Sequence, residues 1–78
     1  MATFSIRVVN TAEKPLKGVG VRIEFVGGGE AKSVSGATNA AGIAVFKGHK
    51  EADIDVYVNK KYYGSFRYED KRRITAEI

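Results

Sequence analysis

The sequence predicts an all-β protein, with seven short strands folded as an antiparallel sandwich in one domain spanning residues 1–78. Three observations lead there. Apolar residues recur at every second position, the period of a strand with one buried face. Turn-forming residues interrupt that alternation about every 8–12 residues, as in sandwiches and barrels. No stretch of roughly ten residues shows a 3.6-residue apolar period with caps, so little or no helix is expected.

Four strands are read from alternation. Phe4, Ile6 and Val8 face one way, and Ser5 and Arg7 the other. Val19, Val21, Ile23 and Phe25 alternate with Gly20, Arg22 and Glu24. Ile54, Val56 and Val58 alternate with Asp53, Asp55, Tyr57 and Asn59, and Ile74, Ala76 and Ile78 alternate with Thr75 and Glu77. Three further strands carry weaker patterns. Residues 31–38 are small and polar around Val34, which suits a sheet edge. Residues 43–46 are apolar throughout, as expected where both faces are covered. Residues 62–68 place Tyr62, Phe66 and Tyr68 on one face, with Tyr63 and Arg67 on the other.

The segments between are turn chemistry. The first turn holds the single proline, Pro15, and ends at Gly18. Gly27, Gly28 and Gly29 permit positive φ and read as a hairpin tip. Asn39-Ala40-Ala41-Gly42 reads as a tight turn, and residues 48–51, 59–61 and 69–71 close the remaining strand pairs. A three-residue loop at 59–61 is expected. It sets Val58 opposite Tyr62 and Val56 opposite Gly64, with outward pairs Tyr57–Tyr63, Asp55–Ser65 and Asp53–Arg67. A two-residue loop would need positive φ at Lys60, where glycine is the usual residue.

A chain of 78 residues buries only roughly 60% of its unfolded surface, so modest stability is expected. It has no cysteine, which excludes disulfides, thiolate ligands and thiol nucleophiles. No apolar run approaches the ~20 residues of a membrane span, and the first residues lack the basic-then-apolar order of a signal peptide. A cytoplasmic setting is expected for a complete chain, and an extracellular one for a piece of a larger secreted protein. The net charge of +4 is unevenly placed. Between Asn59 and Arg73, the six cations Lys60, Lys61, Arg67, Lys71, Arg72 and Arg73 face only Glu69 and Asp70, whereas the remainder balances seven basic with seven acidic residues.

Two segments carry a family resemblance. Residues 14–23, with Pro15, Gly18 and Val21, resemble the Pro-x-x-Gly-x-x-Val opening of transthyretin-like and carboxypeptidase-regulatory-like domains. Residues 36–46, with Thr38, Asn39, Gly42 and Phe46, resemble their Thr-Asp/Asn-x-x-Gly-x-x-x-Phe segment. The resemblance implies a Greek-key, prealbumin-like sandwich and an accessory, adhesive or structural role. The hydroxyisourate-hydrolase branch uses several histidines, an arginine and a Tyr-Arg-Gly-Ser ending. This sequence has one histidine, His49, and ends Thr75-Ala76-Glu77-Ile78, so that activity is not implied.

No residue set suggests catalysis or a cofactor. His49 alone cannot assemble a zinc site and reads as an exposed turn residue. Asp53 and Asp55 share a strand face, conceivable for calcium or acid–base work, but they lack the oxygen-rich glycine-bent loop of calcium sites. The glycine triplet is not followed by the lysine and helix of a phosphate loop, and no serine lies in a Gly-x-Ser-x-Gly turn. The candidate surface is therefore an interaction patch of Tyr57, Lys60, Lys61, Tyr63, Arg67, Lys71, Arg72 and Arg73. Tyrosine and arginine anchor protein interfaces, so the expected function is a non-catalytic structural or protein-binding module. The alternatives are a basic nucleic-acid-binding domain using the 60–73 stretch and a carbohydrate-binding module using exposed tyrosines.

Overall fold

The computed structural model describes residues 2–26 and 32–78. They form seven strands: β1 (Ala2–Val9), β2 (Gly20–Phe25), β3 (Lys32–Ala37), β4 (Ile43–His49), β5 (Ala52–Val58), β6 (Lys61–Tyr68) and β7 (Arg72–Glu77). No helix occurs among the described residues. The expected glycine-rich tip at 27–29 lies outside them.

The strands make two sheets, ordered β4-β1-β7 and β3-β2-β5-β6. Alternation dictates the packing. Phe4, Ile6 and Val8 from one sheet and Val21, Ile23, Ile54, Val56 and Val58 from the other join one core, completed by Tyr68, Ile74 and Ala76. The small residues Ala44 and Ala76 flank the larger β1 side chains, as close packing between layers requires.

One expectation needs correction at the level of topology. The fold is not wholly antiparallel: β1 pairs antiparallel with β4 but parallel with β7, with Ile6 opposite Ile74 and Val8 opposite Ala76. β1 is thus a central strand, which accounts for the burial of Ser5 at 9% exposure although it faces away from the core. β4 departs as well. Only Ala44 and Phe46 turn inward, while Val45 is 49% exposed, because β4 is an edge strand with one open face. Ile78, expected inward, is 43% exposed beyond the end of β7.

The turns bear the chemistry read from their residues. The Asn39 carboxamide oxygen accepts from the amides of Ala41 and Ile43, and the Gly42 amide donates to Asn39 O. Gly42 takes φ 75°, a left-handed backbone that glycine adopts freely. Asn10 organises the first turn in the same way, accepting from the amides of Ala12 and Lys14. Thr38 ties the two turns together. Its hydroxyl accepts from the Val19 amide at 2.9 Å and donates to Leu16 O at 2.5 Å, and the residue is only 4% exposed. Thr38→Val leaves both backbone groups without that partner and should cost about 1–3 kcal/mol in urea unfolding. A loss no larger than that of an exposed threonine would contradict this role.

The β5–β6 hairpin corrects a second expectation. Its loop has two residues, Asn59 and Lys60, with Val58 opposite Lys61 and Tyr57 opposite Tyr62. Both loop residues carry positive φ, 52° and 67°. Mirror-image turns of this kind match the right-handed twist of the flanking strands, and that match outweighs the preference for glycine at Lys60. The register then shifts, with Tyr63 as the extra residue, and returns to Val56–Gly64, Asp55–Ser65 and Asp53–Arg67 as expected.

Candidate interaction surfaces

The shift at Tyr63 turns Tyr62 outward, while Tyr63 stays outside the core at 39% exposure, as expected. Tyr62, expected in the core, lies on the outer face and is 58% exposed. Tyr63 instead stacks on Phe66, with centroids 6.0 Å apart and planes 16° apart, and its hydroxyl donates to Thr75 O at 3.4 Å. The expected Tyr57–Tyr63 pair is therefore a Tyr57–Tyr62 pair, edge to face at 5.6 Å.

β2 adds a third member. Arg22 is opposite Tyr57 across the β2–β5 ladder, and its guanidinium sits 5.4 Å from the Tyr57 ring centre. The same guanidinium bonds the Glu24 carboxylate, which holds it in place. Arg22, Tyr57 and Tyr62 thus form a cross-strand row on the outer face of the four-stranded sheet. Beside it, Gly20, Ser35, Gly36 and Lys60 help line an open groove of about 360 Å³, kept open by the small residues of β2 and β3. The Tyr57 hydroxyl has a raised pKa, chiefly from the Glu24 carboxylate. It stays protonated and able to donate across the neutral range.

The next row is polar. The Ser65 hydroxyl donates to Asp55 at 2.7 Å and bonds the Tyr62 hydroxyl at 2.8 Å, linking the aromatic row to β5. Beyond it Arg67 bonds Asp53 at 3.2 Å, the pair expected from the hairpin register. Both partners are largely exposed, so this pair contributes little to stability.

The basic residues of the expected patch are distributed rather than clustered. Lys60 and Lys61 sit at one end of β6, and Lys71 and Arg72 follow its other end. Across the eight residues of β6 that is about 25 Å at ~3.3 Å per residue. Arg72 turns back onto Arg67 O and Glu69. Arg73 lies on the outer face of the other sheet, 3.4 Å from the Ser5 hydroxyl. There it shares the face with Arg7 and Lys47, which β1 and β4 contribute by register.

His49 is not an exposed turn residue. It is the last residue of β4, half-buried, with its ring 5.1 Å from Phe25 and 5.7 Å from Tyr68. It closes one end of the core. Tyr68, fully buried, donates its hydroxyl to Phe46 O, and burial pushes its pKa upward. Among the described residues, no group of three or more histidine, aspartate or glutamate side chains is placed to hold a metal ion. Among the same residues no helix is long and apolar enough to cross a membrane.

Sequence reasoning missed Arg22 and Tyr62. Arg22 was legible as outward-facing, but its placement against Tyr57 depends on β2 pairing with β5, strands separated by two others in the chain. Comparison with known proteins adds no assignment: no family model, curated protein or solved structure matches this chain.

Proposed function

We propose that the chain is a non-catalytic structural or protein-interaction module with a transthyretin-like, Greek-key β-sandwich. Two sheets around one core, with the chain crossing between them four times, support the architectural part of this reading. The turn residues Thr38, Asn39 and Gly42, acting through their side chains and backbone as the resemblance implies, support it further.

The observation that carries the functional part is the exposed row Arg22–Tyr57–Tyr62. Two tyrosines and an arginine lie side by side on the outer sheet face, held by a salt bridge, a ring contact and the Tyr62–Ser65 hydrogen bond. Such preorganised rings and guanidinium groups bury large area at low entropic cost, the property of interface anchors. The separation of Lys60 and Lys61 from Lys71 and Arg72 favours this reading over a nucleic-acid surface built on the 60–73 stretch, because a phosphate track needs contiguous cations.

The test is affinity capture with the wild-type domain and with Arg22→Ala/Tyr62→Ala, followed by titration of any protein retained. A real partner should bind the double variant at least ~10-fold more weakly, the loss expected from two anchors. Unchanged binding would overturn the reading. Retention on single-stranded DNA at about 50 mM salt that falls steeply as salt rises would replace it with the nucleic-acid alternative.

A further inference from the structure

β7 is an outer strand, and its free edge has a distinctive charge order. The Ile78 amide donates to Val9 O, so the even-numbered residues of β7 turn their backbone groups toward β1. Arg73, Thr75 and Glu77 consequently turn theirs away, and the Tyr63 hydroxyl reaches Thr75 O from that open side. Among the described residues no strand pairs with this edge. The side chains of the same three residues are exposed, on the sheet face opposite the core.

We propose that this edge pairs antiparallel with the same edge of a second copy of the chain, about a twofold axis through Thr75. In that register Thr75 meets its own copy, and Arg73 of each chain meets Glu77 of the other. The outward N–H and C=O groups of Arg73, Thr75 and Glu77 then find partners in hydrogen-bonded pairs of the antiparallel kind. A directly opposed threonine pair and opposite-charge pairs are each favourable across a ladder. The contact is isologous and therefore closes as a dimer instead of growing into a fibre. It joins two three-stranded sheets into one of six strands.

The other edges lack this self-complementarity. The β3 edge turns outward at Ser33, Ser35 and Ala37, which carry no charge, and the β4 edge at Ile43, Val45 and Lys47, which carry one sign only. The β6 edge offers Ser65 and Arg67, again of one sign. The Tyr63 hydroxyl, 3.4 Å from Thr75 O, leaves that carbonyl a second acceptor position for a partner strand's amide. This surface lies apart from the Arg22–Tyr57–Tyr62 row, so the two proposals stand or fall separately.

Sedimentation equilibrium over a concentration series tests it. The wild-type mass should rise from 8.5 kDa toward twice that value, with a dissociation constant in the range ~10 µM to 1 mM expected of a small interface. Arg73→Glu sets glutamate against glutamate at both ends and should weaken association roughly 10-fold or more. The swap Arg73→Glu/Glu77→Arg restores opposite charges and should return the constant to within ~3-fold of wild type. Thr75→Pro removes an outward-facing donor, leaves the β1 ladder intact, and should give a monomer with a wild-type circular dichroism spectrum. A wild-type chain that stays monomeric at ~1 mM, a dimer that survives Thr75→Pro, or a charge swap that fails to restore association would each overturn the proposal.

Discussion

Phe4→Ala should leave the protein largely unfolded at physiological temperature. Phe4 is fully buried on the central strand β1, and its ring lies 5.1 Å from that of Tyr68. Tyr68 in turn touches Phe25 at 5.5 Å and His49 at 5.7 Å, so Phe4 is the inner member of an aromatic cluster that closes one end of the core. Removing such a ring costs about 3–5 kcal/mol, through lost transfer energy and the cavity left behind. The total stability of a small domain lies toward the low end of roughly 5–15 kcal/mol. With no disulfide to constrain the unfolded chain, little reserve remains. Urea unfolding followed by circular dichroism should place the Phe4→Ala midpoint near zero denaturant, or show no folded baseline. Phe4→Leu keeps most of the volume and should cost only roughly 1–2 kcal/mol. If the two variants unfold together, the cluster is not what holds this end closed.

The same end of the core shows where sequence reading stops. Alternation placed Phe4, Ile23, Val56 and Ile74 inside, and all four are buried, because a period of two leaves a strand only one apolar face to hide. It also placed Tyr68 inside, but it could not bring His49 beside it. That contact joins the end of β4 to the end of β6, and local pattern holds no information on which strand ends meet. Strand order escaped for the same reason: the parallel β1–β7 pairing links the two ends of the described chain. The placement of Tyr62 failed differently. A one-residue slip reverses every side chain beyond it, and a bulge is such a slip confined to one position. The mirror-image turn at Asn59-Lys60 and the bulge at Tyr63 are two departures that cancel, so the pairs from Val56–Gly64 onward were legible while the tyrosine nearest the loop, Tyr62, was not. That local reversal sets Tyr62, in place of Tyr63, beside Tyr57. The cations, adjacent in sequence, were carried to both ends of a strand and onto two sheets.

Where the turn residues rather than the periodicity carried the reading, the structure makes a sharper demand, and Gly42→Ala should expose it. Gly42 and Gly18 share φ 75°, so alanine at either must adopt a left-handed backbone at about 1–2 kcal/mol. Their surroundings differ. A Cβ at Gly18 would meet nothing within 4 Å, whereas one at Gly42 would lie 2.8 Å from both the Pro15 Cβ and Val8 O and 3.0 Å from the Leu16 amide. The neighbours cannot yield easily. Val8 O accepts from the Leu16 amide, and Gly42 O accepts from the Val8 amide, so one shift would disturb both bonds. Gly18→Ala should therefore lose about 1–2 kcal/mol in urea unfolding, and Gly42→Ala about 3–4 kcal/mol, the excess being the crowding against Pro15 and β1. The comparison separates backbone conformation from close approach, because only the second differs between the sites. Equal losses would mean that the Pro15 turn moves aside at little cost. The Asn39–Gly42 turn would then be set by its backbone angle alone, and the pressing of Pro15 against Gly42 would have no part in joining the first turn to the second.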